Sequence, residues 1–236
     1  ATLSDFEIHL SKETSDSPLN IQYVIDAFKS KDDKPKSPLD IKLNAINISN
    51  GEFFYDIKDK PFKEDVFDAN HIHISDFQIK LAVKSIVNDS LNIEVKKLSL
   101  KEKSGLEISN LVFKLVTENK QASIRGFNLE LPSSRLQLGR CEIDLTPSSD
   151  TAKIMDYLTV DCVISPSYIS PRDVAAFSPA LRNFDDVVSL QTEISGSVND
   201  LNIKNLSLSY GEKTRLISNI EIKDIREKEK MYILGS

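Results

Sequence analysis

The segments LSDFEI, residues 3–8, and ISDFQI, residues 74–79, share one order of residues: apolar, two polar, apolar, polar, apolar. Further copies begin at residues 95, 124, 138, 198, 203 and 217, which makes eight, and looser copies begin at Leu43 and Ile108. With 40% hydrophobic residues in the chain, chance placement would give about three copies, so the pattern recurs more often than composition alone explains.

The spacing of this pattern has a structural meaning. In a regular strand the first and fourth residues face opposite sides of the sheet, whereas the fourth and sixth face the same side. All three reach one side only if an extra residue, a β-bulge, lies between the first and the fourth. The middle positions often hold residues that tolerate bulge geometry, namely Asp5, Asp76, Asn110, Gly126, Asn205 and Asn219.

Bulges bend a sheet and increase its twist. Repeated bends in successive strands would curl one long sheet into a trough with its apolar side inside. A packed β-sandwich, in which two sheets bury the same side chains, fits the pattern equally well. A trough would leave an extended apolar surface of the size that marks binding sites.

Most of the remaining sequence alternates apolar and polar residues, as strands do, for example in LVFKL, residues 111–115. Turn-forming pairs such as Asn50-Gly51 and Asn199-Asp200 separate the runs. Such short connections favour antiparallel pairing, because a parallel crossover needs a dozen or more residues. We therefore predict a mainly β fold: a long, antiparallel, strongly twisted sheet curled into an open groove, with two or three short helices.

Two segments predict helices within this β pattern. Residues 17–29 have Ser17 as the predicted N-cap, Pro18 in the first turn and an apolar stripe that continues to Phe28. Residues 170–182 form the second, which Pro179 should bend or split.

Further along the chain, residues 31–38 predict a mobile loop, and a third short helix is expected around residues 150–157. We interpret residues 1–236 as one continuous unit with a candidate sub-boundary near residues 147–170. Both ends of the sequence look cut from a longer β structure, so any targeting or anchoring segment is expected outside it.

The composition excludes several classes of partner. Hydrophobic residues make up 40% and charged residues 28%, and the net charge is -6 with the two signs interspersed. This balance predicts a globular chain. It shows no basic face of the kind that a protein needs to bind nucleic acid or an anionic membrane surface. The absence of Trp and the 7% aromatic content argue against a glycan-binding module.

The cysteines and histidines are the remaining candidates for chemistry. Cys141 and Cys162 each fall on the apolar side of a predicted strand. They are either two small buried hydrophobic residues or a cross-strand disulfide in an oxidising compartment. His71 and His73 alternate on one strand without a third metal ligand nearby, so we expect both to face solvent. No familiar catalytic motif is present, and we expect no enzymatic activity and no cofactor.

Three longer stretches carry a resemblance to a known family. They are LDIKLNAINISNGEFFYDI at residues 39–57, SPRDVAAFSPAL at residues 170–181, and ISGSVNDLNIKNLSLSYG at residues 194–211. In composition and order they resemble the strand pairs and the connecting helix of TamB/AsmA-like envelope proteins, in the style of the Bacteroides group of bacteria. Each element is degenerate, and the resemblance rests on their order along the chain.

The resemblance implies a periplasmic segment of a protein anchored in the inner membrane of a Gram-negative bacterium. Such proteins form a β-groove, belong with chorein-type bridge proteins thought to move phospholipid between membranes, and are linked to assembly of outer-membrane β-barrel proteins. The implied partners are phospholipid or another acyl-chain ligand and an outer-membrane β-barrel protein. The family has no catalytic residues to carry over.

The candidate lipid-lining residues lie on the apolar side of the predicted strands, and each could equally be ordinary core. They are Phe77, Ile79, Leu81, Ile93, Leu98, Leu100, Ile108, Leu111, Phe113, Phe127, Leu129, Cys141 and Ile143. The alternative function is a structural β scaffold that engages client β-strands at its edges.

Overall fold

The structure is a computed structural model that describes residues 1–28, 43–87, 90–145, 158–197, 199–225 and 229–236. These residues form one mostly antiparallel sheet of 13 strands that does not close on itself, which confirms the predicted mainly β fold. The strands are β1 (Thr2–Lys12), β2 (Leu43–Ile57), β3 (His71–Val87), β4 (Ser90–Glu102), β5 (Glu107–Ile108), β6 (Asn110–Glu118), β7 (Gln121–Leu131), β8 (Ser134–Asp144), β9 (Thr159–Ile169), β10 (Val188–Ser197), β11 (Asp200–Tyr210), β12 (Thr214–Lys223) and β13 (Tyr232–Gly235).

The strands follow chain order across the sheet, from β1 at one edge to β13 at the other, with the short β5 beside β4. Neighbouring strands are antiparallel except β1 and β2, which are parallel, with Ile8 opposite Phe53. The prediction of antiparallel pairing was wrong for β1 and β2. Their connection, residues 13–42, is long enough for the crossover that a parallel pair needs. The sheet continues across the predicted sub-boundary, since β8 pairs directly with β9.

Bulges occur where the repeated pattern predicts them. Asp5, Asp76, Gly126 and Asn205 all have a positive φ, between 52° and 60°. Shifts in strand register show bulges at the copies that begin at residues 95 and 138 as well. Six of the eight copies therefore carry a bulge.

The other two copies differ for a reason that the strand pairing shows. The copy at residue 198 spans the turn into β11: its first residue lies outside the described residues, and its last four belong to β11. In the copy at residue 217, β12 alternates regularly from Leu216 through Ser218 to Ile220, and Ile217 lies on the opposite side of the sheet. Asn110 and Asn219 were also expected to have bulge geometry, but neither has a positive φ.

The helices are shorter than predicted. The first is α1, Gln22–Phe28, and the Ser17 hydroxyl bonds Thr14 instead of capping a helix. The predicted helix 170–182 is two short 3-10 helices, Pro171–Val174 and Pro179–Asn183. Pro179 splits the segment as expected, since a proline cannot continue the helix that precedes it. No helix in the described ranges is long and apolar enough to cross a membrane.

Two predicted segments lie outside the described residues: the loop at residues 31–38 and the third helix at residues 150–157. The same is true of residue 29, the last residue of the first predicted helix.

Candidate functional site: the apolar face of the sheet

The sheet has one apolar side, which we call the apolar face. Residues directly opposite each other on adjacent strands show its continuity: Ile79 faces Leu98, Leu111 faces Leu129, and Ile124 faces Cys141. Because each bulge restores the apolar residues beyond it to the same side, the face is not interrupted where the pattern skips a residue.

All 13 predicted lining residues lie on this face, within β3 to β8. Twelve are half-buried and Cys141 is buried. The Phe113 and Phe127 rings lie 6.3 Å apart between centroids across the β6–β7 pair. Position on a shared face follows from strand register and does not separate a lining residue from a core residue.

The face also extends beyond the predicted set. On β1 and β2 it includes Leu3 opposite Ile48, and on β10 to β12 it includes the row Ile194, Ile203 and Ile220. The pattern copies at residues 3 and 203 are the sequence signal that indicates these strands. The predicted set was therefore the central part of a longer apolar surface.

The face is only partly covered in the described part of the chain. On this face Val83, Val95 and Cys141 are buried, whereas large apolar residues such as Leu3 and Ile8 are exposed. All of the described strands belong to a single sheet, so the second sheet that a β-sandwich would pack against this side is absent from these ranges.

The opposite side of the sheet is polar and wet. Cross-strand ion pairs connect its strands, including Lys84 with Glu94 at 2.8 Å and Arg140 with Asp161 at 2.9 Å. The hydrogen bond from Lys84 lowers the pKa of Glu94. Such exposed pairs contribute little to stability, but they keep this side charged where these strands pair.

Cys141 and Cys162 are directly opposite each other on β8 and β9 and form a disulfide on the apolar face. Of the two sequence interpretations, the structure shows the cross-strand disulfide. The bond ties two adjacent strands at the middle of the face, beside Ile124 and Ile194.

Two connections meet at the end of the sheet where β2, β7 and β9 end. We call residues 58–70, between β2 and β3, the rim loop, and residues 170–187, between β9 and β10, the strap. The Phe67 N–H donates to the Ala176 carbonyl at 2.7 Å, and the Arg182 guanidinium donates to the Asp65 carbonyl at 2.6 Å. The Phe67 and Phe177 rings lie 5.4 Å apart.

The strap is also bonded to the β7–β8 hairpin. The Asp173 carboxylate accepts hydrogen bonds from the Ser133 N–H at 2.8 Å and the Ser134 hydroxyl at 2.6 Å. Asp173 and Ala176 are three residues apart, so roughly 11 Å at most separates their α-carbons. In a flat sheet β3 and β8 would lie roughly 19 Å apart. The rim loop must lean toward β8, or the strand ends must approach each other.

The histidines do not form a metal site. His71, predicted to face solvent, is instead largely buried, with a side chain 11% exposed. His73 is more exposed and stacks on Phe54, which separates it from His9 on the other side of the same ring. Within the described residues, no group of three potential ligands could hold a metal ion.

Comparison with known proteins places the chain in no group. No family model, no curated protein and no solved structure matches it.

Proposed function

We propose that this chain is a non-enzymatic segment that holds the acyl chains of phospholipid along the apolar face of its sheet. One observation carries the proposal: a continuous, partly exposed apolar face crosses the sheet, with a polar face behind it. Acyl chains suit such a surface because contacts with aliphatic side chains are non-directional. Head groups would remain in water at its margins.

In this proposal the bulged strands curl the sheet into a groove with the apolar face inside. The bulges at Asp76, Gly126 and Asn205 support it, since each adds local bend and twist. The bonds between strap and rim loop support it too, because they draw together connections from distant strands. A curled sheet would shield bound chains from water better than a flat one.

The proposed location is the periplasm of a Gram-negative bacterium, as part of a protein anchored in the inner membrane. The Cys141–Cys162 disulfide supports an oxidising compartment. The three stretches that resemble TamB/AsmA-like proteins, at residues 39–57, 170–181 and 194–211, support the envelope assignment.

Two variants of one strand test the lipid proposal. Phe113→Asp puts a charge on the apolar face, whereas Val112→Asp puts the same charge on the polar face next to Asn128. Mass spectrometry of organic extracts should find phospholipid bound to the wild type and to Val112→Asp, and much less bound to Phe113→Asp. Circular dichroism must show that both variants fold. Equal lipid content in the two variants, or none in the wild type, would overturn the proposal.

The alternative function, a scaffold that adds client strands at a sheet edge, has one observation in its favour. On the outermost strand, β13, Tyr232, Ile233 and Leu234 are exposed, and an exposed apolar edge strand is a template for strand addition. A lipid-free extract together with capture of a β-strand peptide at β13 would favour this function.

A further inference from the structure

His71 lies at the junction of β2, β3 and the rim loop, and both of its ring nitrogens face oxygen atoms. Its Nδ1 is 3.0 Å from the Asp56 carboxylate, and its Nε2 is 3.0 Å from the Lys60 carbonyl. Carboxylates and carbonyls only accept hydrogen bonds, so both nitrogens must carry a proton for both bonds to form. The arrangement therefore requires the doubly protonated, positively charged ring.

The charged groups around His71 favour the same state. The hydrogen bond with Asp56 raises the pKa of His71, burial opposes the rise, and the Lys60 carbonyl and the negative charge of Asp68 add to it. Asp68 itself is 1% exposed. Burial alone would raise its pKa, but N–H bonds from Asn70 and Lys63, with the nearby His71 charge, lower it, so it stays ionised.

Other neighbours complete the surroundings of this ring. The centroids of the Phe62 and His71 rings are 5.7 Å apart. The Lys103 ammonium lies over the Phe62 ring, 4.1 Å from its centroid. The Lys60 ammonium is within 4.0 Å of Asp59. The positive charge at His71 is thus balanced by Asp56 and Asp68, one on β2 and one in the rim loop.

We propose that His71 is a pH-sensitive latch: the protonated ring fastens the rim loop to β2, and the rim loop in turn holds the strap. A neutral ring keeps one proton, so one of the two oxygens would face a nitrogen lone pair instead of a donor. Where the bond to the Lys60 carbonyl is lost, the stretch from Lys60 to Phe67 is held less firmly, by the Lys60 N–H bond to the Ile57 carbonyl and the Lys63 N–H bond to Asp68. The contact between Phe67 and Ala176 then weakens as pH rises through the pKa of His71.

This latch does not depend on what the apolar face binds, because it acts on the bonds between rim loop and strap. In the proposed groove it would control how firmly the strap is held at one end of the strands. Stabilisation from a group with a raised pKa is fully present below its ordinary pKa and is lost as pH rises through the raised value. The strap is thus held at acidic pH and loosened at alkaline pH.

Hydrogen exchange of the Phe67 amide, measured by NMR on the whole chain, tests the latch. Corrected for the intrinsic pH dependence of exchange, its protection should fall roughly 10-fold or more between about pH 5.5 and about pH 8.5, since a bond to a charged group is lost. In His71→Gln, protection should be low at both pH values. The matched control, His73→Gln on the same strand, should behave like the wild type.

Two results would overturn this proposal. One is a wild-type Phe67 amide whose corrected protection is the same at both pH values; the other is a pH dependence that survives in His71→Gln. Protection of amides in β6 and β7, measured in the same spectra, shows whether each variant keeps its sheet. Imidazole nitrogen shifts provide an independent readout, because the latch requires a doubly protonated His71 ring at the lower pH.

Discussion

Asn205 shows how a single residue makes a bulge tolerable. Its φ of 52° lies in the left-handed region that most side chains avoid. Its backbone N–H donates to Oδ1 of Asn219 at 2.9 Å, and its side-chain NH2 donates to the Glu193 carboxylate at 3.2 Å. These bonds occupy polar groups that the disrupted strand pairing would otherwise leave open.

Substitutions at Asn205 should follow this geometry. Asn205→Val should destabilise the fold by about 1–3 kcal/mol, because a β-branched residue is strained at positive φ. Asn205→Gly removes the strain and loses only the exposed bond to Glu193, so its midpoint in urea unfolding should stay close to the wild type. Equal losses in the two variants would show that the bond to Glu193 matters more than the backbone conformation.

Bulge positions could be predicted from the sequence only where strand pairing agrees with the local pattern. Gly126 and Asn205 occur where the pattern and the pairing register both require an extra residue. Asn219 has the same local sequence, but β12 pairs with β11 in regular alternation, and the bulge on the β11 side already absorbs the mismatch. A local pattern cannot show which of two partner strands carries the extra residue.

At the scale of strands, the outer edge of β1 is protected by a residue that follows it in the chain. Asn20 donates from its side chain to the His9 carbonyl at 2.9 Å and accepts from the Ser11 N–H at 3.1 Å, and its backbone N–H donates to the Ser11 carbonyl. Edge strands with free N–H and C=O groups invite pairing with other chains. Asn20 occupies those groups on one stretch of β1.

Removing this protection should expose the β1 edge. Asn20→Ala loses both side-chain bonds, about 1–2 kcal/mol of local stability, so the Ser11 amide should exchange roughly 10-fold faster. Asn20→Asp keeps the acceptor for Ser11 and lacks the donor for His9, so the Ser11 amide should stay protected. Exchange at Ser11 that is unchanged in Asn20→Ala would contradict the assignment of this edge contact. Size-exclusion chromatography would show whether the exposed edge also promotes self-association.

Across the whole molecule, contacts close in sequence were predictable and distant ones were not. Alternation and turn residues such as Asn199-Asp200 predicted hairpins, because each strand pairs with its neighbour in the chain. The pair Asn50-Gly51, predicted to separate two strands, was wrong: it lies within β2, where Asn50 has a positive φ. The bond between Phe67 and Ala176 joins residues more than 100 positions apart, and neither sequence segment carries a signal for the other. The same holds for His71, whose burial depends on how the rim loop folds back over it.

The extent of the apolar face leads to a prediction about ligand length. Each methylene removed from water contributes about 0.8 kcal/mol, which is roughly a four-fold gain in affinity. Single-chain alkyl phosphocholines of about 8 to 14 carbons, kept below their micelle concentrations, should therefore bind with affinity that rises by up to that factor per carbon. Binding should show a negative heat-capacity change in calorimetry, because apolar surface is buried.

The gain in affinity per added carbon should be lower for Phe113→Asp and unchanged for Val112→Asp, since the two charges lie on opposite sides of β6. An affinity that does not depend on chain length would mean that acyl chains do not lie along the apolar face, and strand addition at β13 would then be the better account of this sheet.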